Sequence, residues 1–229
     1  MVMKIEVWSD IACPFCYIGK RNLETALQQF DHADTVQVEW RSFQLDPGLP
    51  KNRVFSSTYQ YLAERKGLSV DRAKAMTRSV AETGARAGVI LDFDRTIIAN
   101  TWDGHRLIHL AQSSGNGTAV KEALFRAHFT DGQDISDHRT LIAVATSCGL
   151  DEEAVASMLK DDGFGREVER DIREAQDIGI RGVPFFVFNR QYAVSGAQPP
   201  EVFLQTLQKA STEGNVTDGP TCDTAGNCD

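Results

Sequence analysis

Cys13-Pro14-Phe15-Cys16 lies between a strand-like run, Ile5-Glu6-Val7-Trp8, and a stretch of helical periodicity from Tyr17 to Phe30. Proline suits the first position of a helix, where its missing N–H has no partner to lose. The helix is therefore expected to begin at Pro14, with Cys13 as its N-cap. There a sulfur meets unpaired backbone N–H groups and the positive end of the helix dipole. Both favour thiolate, the form that attacks disulfides. A free thiol with a pKa of ~8.5 is only about 3% ionised at pH 7. The dipole adds at most ~2 kcal/mol, roughly 1.5 pK units. A larger shift needs hydrogen bonds to sulfur from the N–H groups near Phe15 and Cys16. The spacing predicts an exposed, attacking Cys13 and a covered, resolving Cys16. A half zinc site or two inert core cysteines would share this spacing, but the strand–CxxC–helix setting favours redox chemistry.

The rest of the chain builds on that opening. A first strand over residues 4–8, the helix, and a second strand over residues 36–43 form a βαβ unit with parallel strands. In the second strand Val36, Val38 and Trp40 alternate with Gln37, Glu39 and Arg41. Residues 55–162 show only helical signals: spans 58–66, 70–87, 118–129 and 152–160, one capped by Asn100-Thr101 running to about Gln112, and one capped by Ser136 running to Cys148-Gly149. A charged helix over residues 166–178 follows. Val183 to Phe188 reads as a buried strand, Asn189-Arg190 as a tight turn, residues 191–195 as its hairpin partner, and Pro199-Pro200 as the start of a last helix to about Lys209. The fold class is α/β: a thioredoxin-like fold with a long inserted α-helical subdomain. We assign residues 1–50 and 165–211 to a discontinuous thioredoxin-like domain and 51–164 to the helical insertion. Residues 212–229 form a cysteine-containing tail without apolar periodicity, expected to be mobile.

Bulk properties narrow the function. The chain has 229 residues, 41% of them hydrophobic, enough for a full-sized core. A net charge of −8 without a Lys/Arg run makes nucleic acid and anionic membranes poor partners. No apolar signal region opens the sequence and no apolar run is long enough to span a bilayer, so a cytoplasmic location is expected. There, five cysteines do not suggest a structural disulfide framework. Cys148 reads as a small buried hydrophobe.

Val183-Pro184 opens a strand, where proline cannot donate to the ladder. A cis bond or an ordinary trans proline at a first strand position would each fit. The βαβ start with CxxC, the helical insertion, and Gly182-Val183-Pro184 before a hairpin and helix resemble the DsbA-type thiol–disulfide oxidoreductases. Asp10-Ile11-Ala12-Cys13-Pro14-Phe15-Cys16-Tyr17-Ile18-Gly19, Asn100-Thr101-Trp102-Asp103-Gly104-His105-Arg106-Leu107 and Ser195-Gly196-Ala197-Gln198 resemble the cytoplasmic FrnE-like branch. The resemblance covers about residues 3–210. It implies a cis Val183-Pro184 beside the disulfide, with the Val183 backbone free to pair with an extended substrate by strand addition. The branch is also similar to kappa-class glutathione transferases and 2-hydroxychromene-2-carboxylate isomerases, in which a serine usually stands at the Cys13 position. A cysteine at both ends here argues against their chemistry. Typical periplasmic DsbA proteins carry a histidine between the cysteines; Phe15 offers sulfur neither charge nor hydrogen bond, which implies a less oxidising couple.

Cys13 and Cys16 are thus the candidate catalytic residues. Pro14, Phe15, Val183, Pro184, Asn100, Trp102 and His105 are the candidate substrate-binding residues, with Arg106 beside them. Asn100 and Thr101 also read as a plain helix cap. His105 and His109 have an i,i+4 spacing that suits a metal, but no third ligand accompanies them, so no metal is expected. The only cofactor expected is the redox-active disulfide itself, with glutathione as a co-substrate. Partners are disulfide-containing proteins or peptides; the oligomeric state stays open. Cys222 and Cys228 bracket Gly226-Asn227, which permits the bend of a local disulfide. They form a candidate second redox pair, an inert disulfide, or half of a four-thiolate zinc site. The alternative activity is a glutathione-dependent isomerase or transferase acting on a small aromatic substrate.

Overall fold

The computed structural model describes residues 2–213. The expected mobile tail with Cys222 and Cys228 lies outside the described residues, apart from its first positions, which end the last helix. The chain runs β1 (Met3–Ser9), α1 (Pro14–Leu27), β2 (Val36–Ser42), α2 (Thr58–Lys66), α3 (Val70–Arg86), α4 (Trp102–Ser113), α5 (Gly117–Phe129), α6 (His138–Ser147), α7 (Glu152–Lys160), α8 (Gly165–Asp177), β3 (Phe185–Phe188), β4 (Tyr192–Ser195) and α9 (Pro200–Glu213). The sheet order is β2-β1-β3-β4. β1 and β2 are parallel, with Ile5 opposite Val38, and β3 is antiparallel to both β1 and β4.

Local chemistry sets most boundaries. Ser57, Ser69 and Asp151 each accept a hydrogen bond from a first-turn N–H of α2, α3 and α7. Gly67 ends α2 in the left-handed region at φ 66°. The cap of α6 is Asp137, which accepts from the Arg139 N–H; Ser136 instead turns its hydroxyl to Asp134. α1 ends at Leu27, and Phe30 reaches the core from the following turn. Asn189 and Arg190 adopt φ 48° and 55°, the pair of positive values a tight hairpin turn requires.

One face of the sheet, with Ile5, Val7, Phe186 and Phe188, joins α1, α9, α4 and α5 in a single core that includes Leu23, Phe203, Leu107 and Leu124. The helical insertion and the sheet therefore share one interior. α8 covers the other face, against Trp8, Phe185 and Val187. Glu6, Arg41 and Asp171 are all buried there, with Arg41 donating to Glu6 and, at 3.0 Å, to Asp171. Burial works against each charge, but hydrogen bonds from Arg190 and Arg41 outweigh it at Glu6, and those from His109 and the Ser42 amide, with the charge of Arg41, outweigh it at Asp171, so both carboxyls lie below the usual carboxylate range. β2 is an edge strand, and side chains occupy its outer hydrogen-bonding groups. Gln112 accepts from the Trp40 N–H at 2.6 Å and donates to its carbonyl at 3.1 Å, and Asp171 accepts from the Ser42 N–H at 2.9 Å.

Candidate active site

The cysteine turn hangs from Asp10. Its backbone carbonyl accepts from the Cys13 N–H at 3.2 Å, and its carboxylate accepts from the Ala12 N–H at 3.4 Å and the Leu45 N–H at 2.7 Å. His105 lies 3.2 Å from the same carboxylate. The site is thus fixed at once to the end of β1, the loop after β2, and α4. Burial raises the Asp10 carboxyl, but the His105 hydrogen bond, the Leu45 amide and the charge of Lys121 outweigh it and leave Asp10 ionised more readily than usual. Burial pushes His105 down despite Asp10 beside it, which favours the neutral ring. Gly104 makes room for the turn, since a Cβ there would stand 2.5 Å from Ile11 Cδ1.

Pro14 is the first residue of α1 and Cys13 is its N-cap, at φ −96° and ψ 111°. Both Cys13 and Cys16 are free thiols. Cys13 is 4% exposed, so the expected exposed nucleophile is covered. It belongs to one apolar cluster with Cys16, Phe125, Phe129, Leu91 and Phe93, against which Val183 also packs. Cys13 Sγ lies 3.5 Å from the Val183 carbonyl oxygen and donates to it. The Val183–Pro184 peptide bond is cis.

Cys13 also departs from the expected low pKa. Its hydrogen bond with the Cys16 sulfur, burial, the Cys16 charge and Asp10 push its thiol well up, against the Cys16 backbone N–H, which pulls it down. The two sulfurs cannot both ionise in so small and dry a space. Burial and the neighbouring sulfur thus hold the proton on Cys13.

The remaining candidate residues divide into two groups. Pro14, Phe15, Val183 and Pro184 gather around Cys13, and Phe15 stands 44% exposed at the mouth of the site. Asn100 and His105 do not line an open cleft. Asn100 is buried; it donates to the Leu49 carbonyl and accepts from the Trp102 N–H at 2.8 Å, the capping role. His105, 1% exposed, reaches the thiols only through Asp10. Arg106 is buried as well and donates to the carbonyls of Gly163, Met158 and Asp161. Trp102 is half-buried, with Lys51 Nζ 5.2 Å from its ring centroid. His109 Nε2 lies 3.1 Å from the Ser42 hydroxyl and 3.0 Å from the Asp171 carboxylate. Cys148 is half-buried.

Two concave surfaces flank the cysteines. One of about 410 Å³ follows Gly179 to Phe185 and reaches Ser195 and Gly196. The other, of about 300 Å³, lies between Ala12, Leu45, Leu49, Tyr61, Lys66 and Ile98. Several site residues were not singled out by sequence reasoning. Gly19 lies directly under Pro184: a Cβ there would stand 3.0 Å from Pro184 Cγ and 3.1 Å from Phe186 Cζ. Asp10, Gly104 and Gly19 all fall inside the motifs quoted above, so their positions carried a signal. Lys121 and His128, buried on the α5 face that carries Phe125, carried none.

The DsbA-like thioredoxin domain family matches residues 4–208, and the chain belongs to it. The fold is shared with a solved probable DsbA oxidoreductase from Streptomyces coelicolor, at 40% identity and a TM-score of 0.87 over 99% of this chain and 98% of that one. An uncharacterized protein of Bacillus subtilis, YwbO, is 24% identical over 90% of this chain and 96% of its own length. The cytosolic disulfide reductase DsbM of Pseudomonas aeruginosa shares the fold alone, at 15% identity and a TM-score of 0.66 over 92% of this chain and 99% of that one. Among the described residues no helix is long and apolar enough to cross a membrane.

Proposed function

We propose that this protein is a thiol–disulfide oxidoreductase that exchanges electrons with protein, peptide or small-molecule disulfides through Cys13 and Cys16. The observation that carries this reading is the free thiol pair at the N-terminus of α1, with Cys13 Sγ 3.5 Å from the carbonyl of Val183. Among the described residues the Val183 N–H has no hydrogen-bond partner. An extended substrate segment would pair with that backbone and replace the S–H···O contact that now occupies the carbonyl.

The exchange runs in two steps. The Cys13 thiolate attacks one sulfur of the substrate disulfide; a Cys13–substrate S–S bond forms and the other substrate sulfur leaves as thiolate. Cys16 then attacks the Cys13 sulfur, closes the Cys13–Cys16 disulfide and releases the second substrate sulfur. Two electrons pass from the protein to the substrate, and the reverse sequence oxidises a substrate dithiol. Phe15 offers apolar contact at the mouth, and His105 acts through Asp10 to hold the turn. Glutathione is the small thiol we assign as co-substrate, a choice supported by the solved complex of DsbM with GSH. At a cytosolic poise of about −220 mV or lower, a strongly oxidising couple would rest reduced, which suits reductase or isomerase work in a cytoplasmic protein. The test is insulin reduction by wild type and Cys13→Ser. Loss of activity in the variant is expected, and equal rates would end the proposal.

A further inference from the structure

We propose that Lys121, contributed by the helical insertion, is the counter-charge of the reduced Cys13/Cys16 pair and takes up a proton when the disulfide is reduced. This inference rests on the redox reading of the cysteines given above.

Lys121 is 1% exposed, a rare environment for an ammonium group without an anion. Among the described residues it makes no hydrogen bond and no ion pair. Its Nζ instead faces two aromatic rings, 5.6 Å from the Trp40 centroid and 4.9 Å from that of Phe125. Phe125 packs in the same buried cluster as Cys13 and Cys16. The groups of opposite charge that act on Lys121 are, in order of strength, Cys16, Asp10 and Cys13. Asp10 is already committed to the Leu45 and Ala12 amides and to His105. The other charges around this space are also taken. Lys20 on α1 is bound to Glu24 and Glu122, and Glu122 itself also accepts from Tyr17 and Arg21. His105 on α4 is bonded to Asp10, and His128, further along α5, favours its neutral form. Among the described residues Asp10 at least has hydrogen-bond donors of its own, whereas no cation is hydrogen-bonded to the dithiol. Burial pushes the Lys121 ammonium down to about 8, so its proton is exchangeable near neutral pH.

The balance is simple. A reducing substrate dithiol supplies two electrons and two protons and becomes a disulfide. The Cys13–Cys16 bond breaks; one proton stays on the sulfur pair and the other goes to Lys121 Nζ where that amine is neutral. The product is one thiol and one thiolate beside an ammonium. Removing the cation disfavours this product.

The test compares wild type, Lys121→Met and Lys121→Arg. Thiolate absorbance and iodoacetamide alkylation are followed against pH, and the glutathione equilibrium is measured for each. An opposite charge at close range is worth about 1–3 pK units to the charged form. In Lys121→Met we expect the thiolate midpoint to rise by at least one unit, alkylation at pH 7 to slow about tenfold or more, and alkylation well above the midpoint to match wild type. The glutathione equilibrium should move at least tenfold toward the disulfide, about 30 mV. Lys121→Arg should restore the wild-type midpoint. Should Lys121→Met not fold, the Lys121 Nζ titration of wild type decides. By reciprocity it must have a higher midpoint in the reduced than in the oxidised protein. An unchanged thiolate midpoint in folded Lys121→Met, or equal Nζ midpoints in the two redox states, would overturn the inference. Insulin reduction that needs Cys13 while these midpoints stay put would remove Lys121 alone; insulin reduction that ignores Cys13 would remove the underlying reading.

Discussion

His128 makes the folded protein sensitive to acid, and the size of the effect follows from its surroundings. The ring is fully buried on α5, and neither ring nitrogen has a hydrogen-bond partner among the described residues. Its neighbour is the Phe129 ring, 4.5 Å away. Charging it means placing an imidazolium in an apolar space, and burial therefore lowers its pKa from 6.5 to about 4, against the weak pull of Asp10 and Asp134. The unfolded chain binds this proton as pH falls through 6.5, while the folded chain refuses it until about 4. The contribution to stability is thus intact above pH 6.5 and lost progressively below it. Integrated to pH 5, the loss from this residue is about 2 kcal/mol, and its limit below pH 4 is about 3 kcal/mol. The assay is urea denaturation of the reduced protein at pH 8 and pH 5, for wild type and His128→Leu. Wild type should lose about 2 kcal/mol more than the variant across this interval, whatever the variant does to stability at pH 8. Parallel losses would show that the folded protein accepts the proton, and the argument from burial would fail.

Three further outcomes follow from contacts already described. Gly19→Ala forces a methyl group against Pro184 and Phe186 and should cost about 1–3 kcal/mol in melting experiments, with slower disulfide exchange from displacement of the loop beside Cys13. Arg41→Met removes the cation shared by Glu6 and Asp171 while leaving Arg190 on the one and His109 on the other, and should cost about 1.5–3 kcal/mol; a loss below about 1 kcal/mol would show the shared pair to be dispensable. Phe15→Ala removes an exposed ring and should leave the melting temperature within error while raising KM for peptide disulfides; an unchanged KM would remove Phe15 from the binding surface.

The sequence made the backbone plan legible because its signals are local. Pro14 marks the start of α1, Pro200 that of α9, and Asn189-Arg190 makes the hairpin turn. Each of these effects acts over a few residues. It also marked the cysteine pair and the Val183-Pro184 segment, which the fold brings together from 170 positions apart. What stayed hidden depends on contacts between distant segments. Arg41 reads from the sequence only as one polar member of the β2 alternation, and nothing local announces that Asp171 of α8 will cover it. Asn100 and His105 drew attention as polar residues near a helix start, yet they are spent on the Leu49 carbonyl and on Asp10. The covered state of Cys13 likewise comes from Val183 and from the helical insertion. Lys121 and His128 sit on an ordinary helical face, and only the packing shows that this face is dry.

Trapping the first covalent step tests the central claim most directly. With Cys16→Ser the resolving sulfur is gone, so a disulfide-bonded peptide should accumulate as a mixed disulfide that mass spectrometry maps to Cys13, while Cys13→Ser should accumulate none at that site. An adduct mapped to Cys148 or to another cysteine in place of Cys13, or none at all under conditions that allow insulin reduction, would contradict the account.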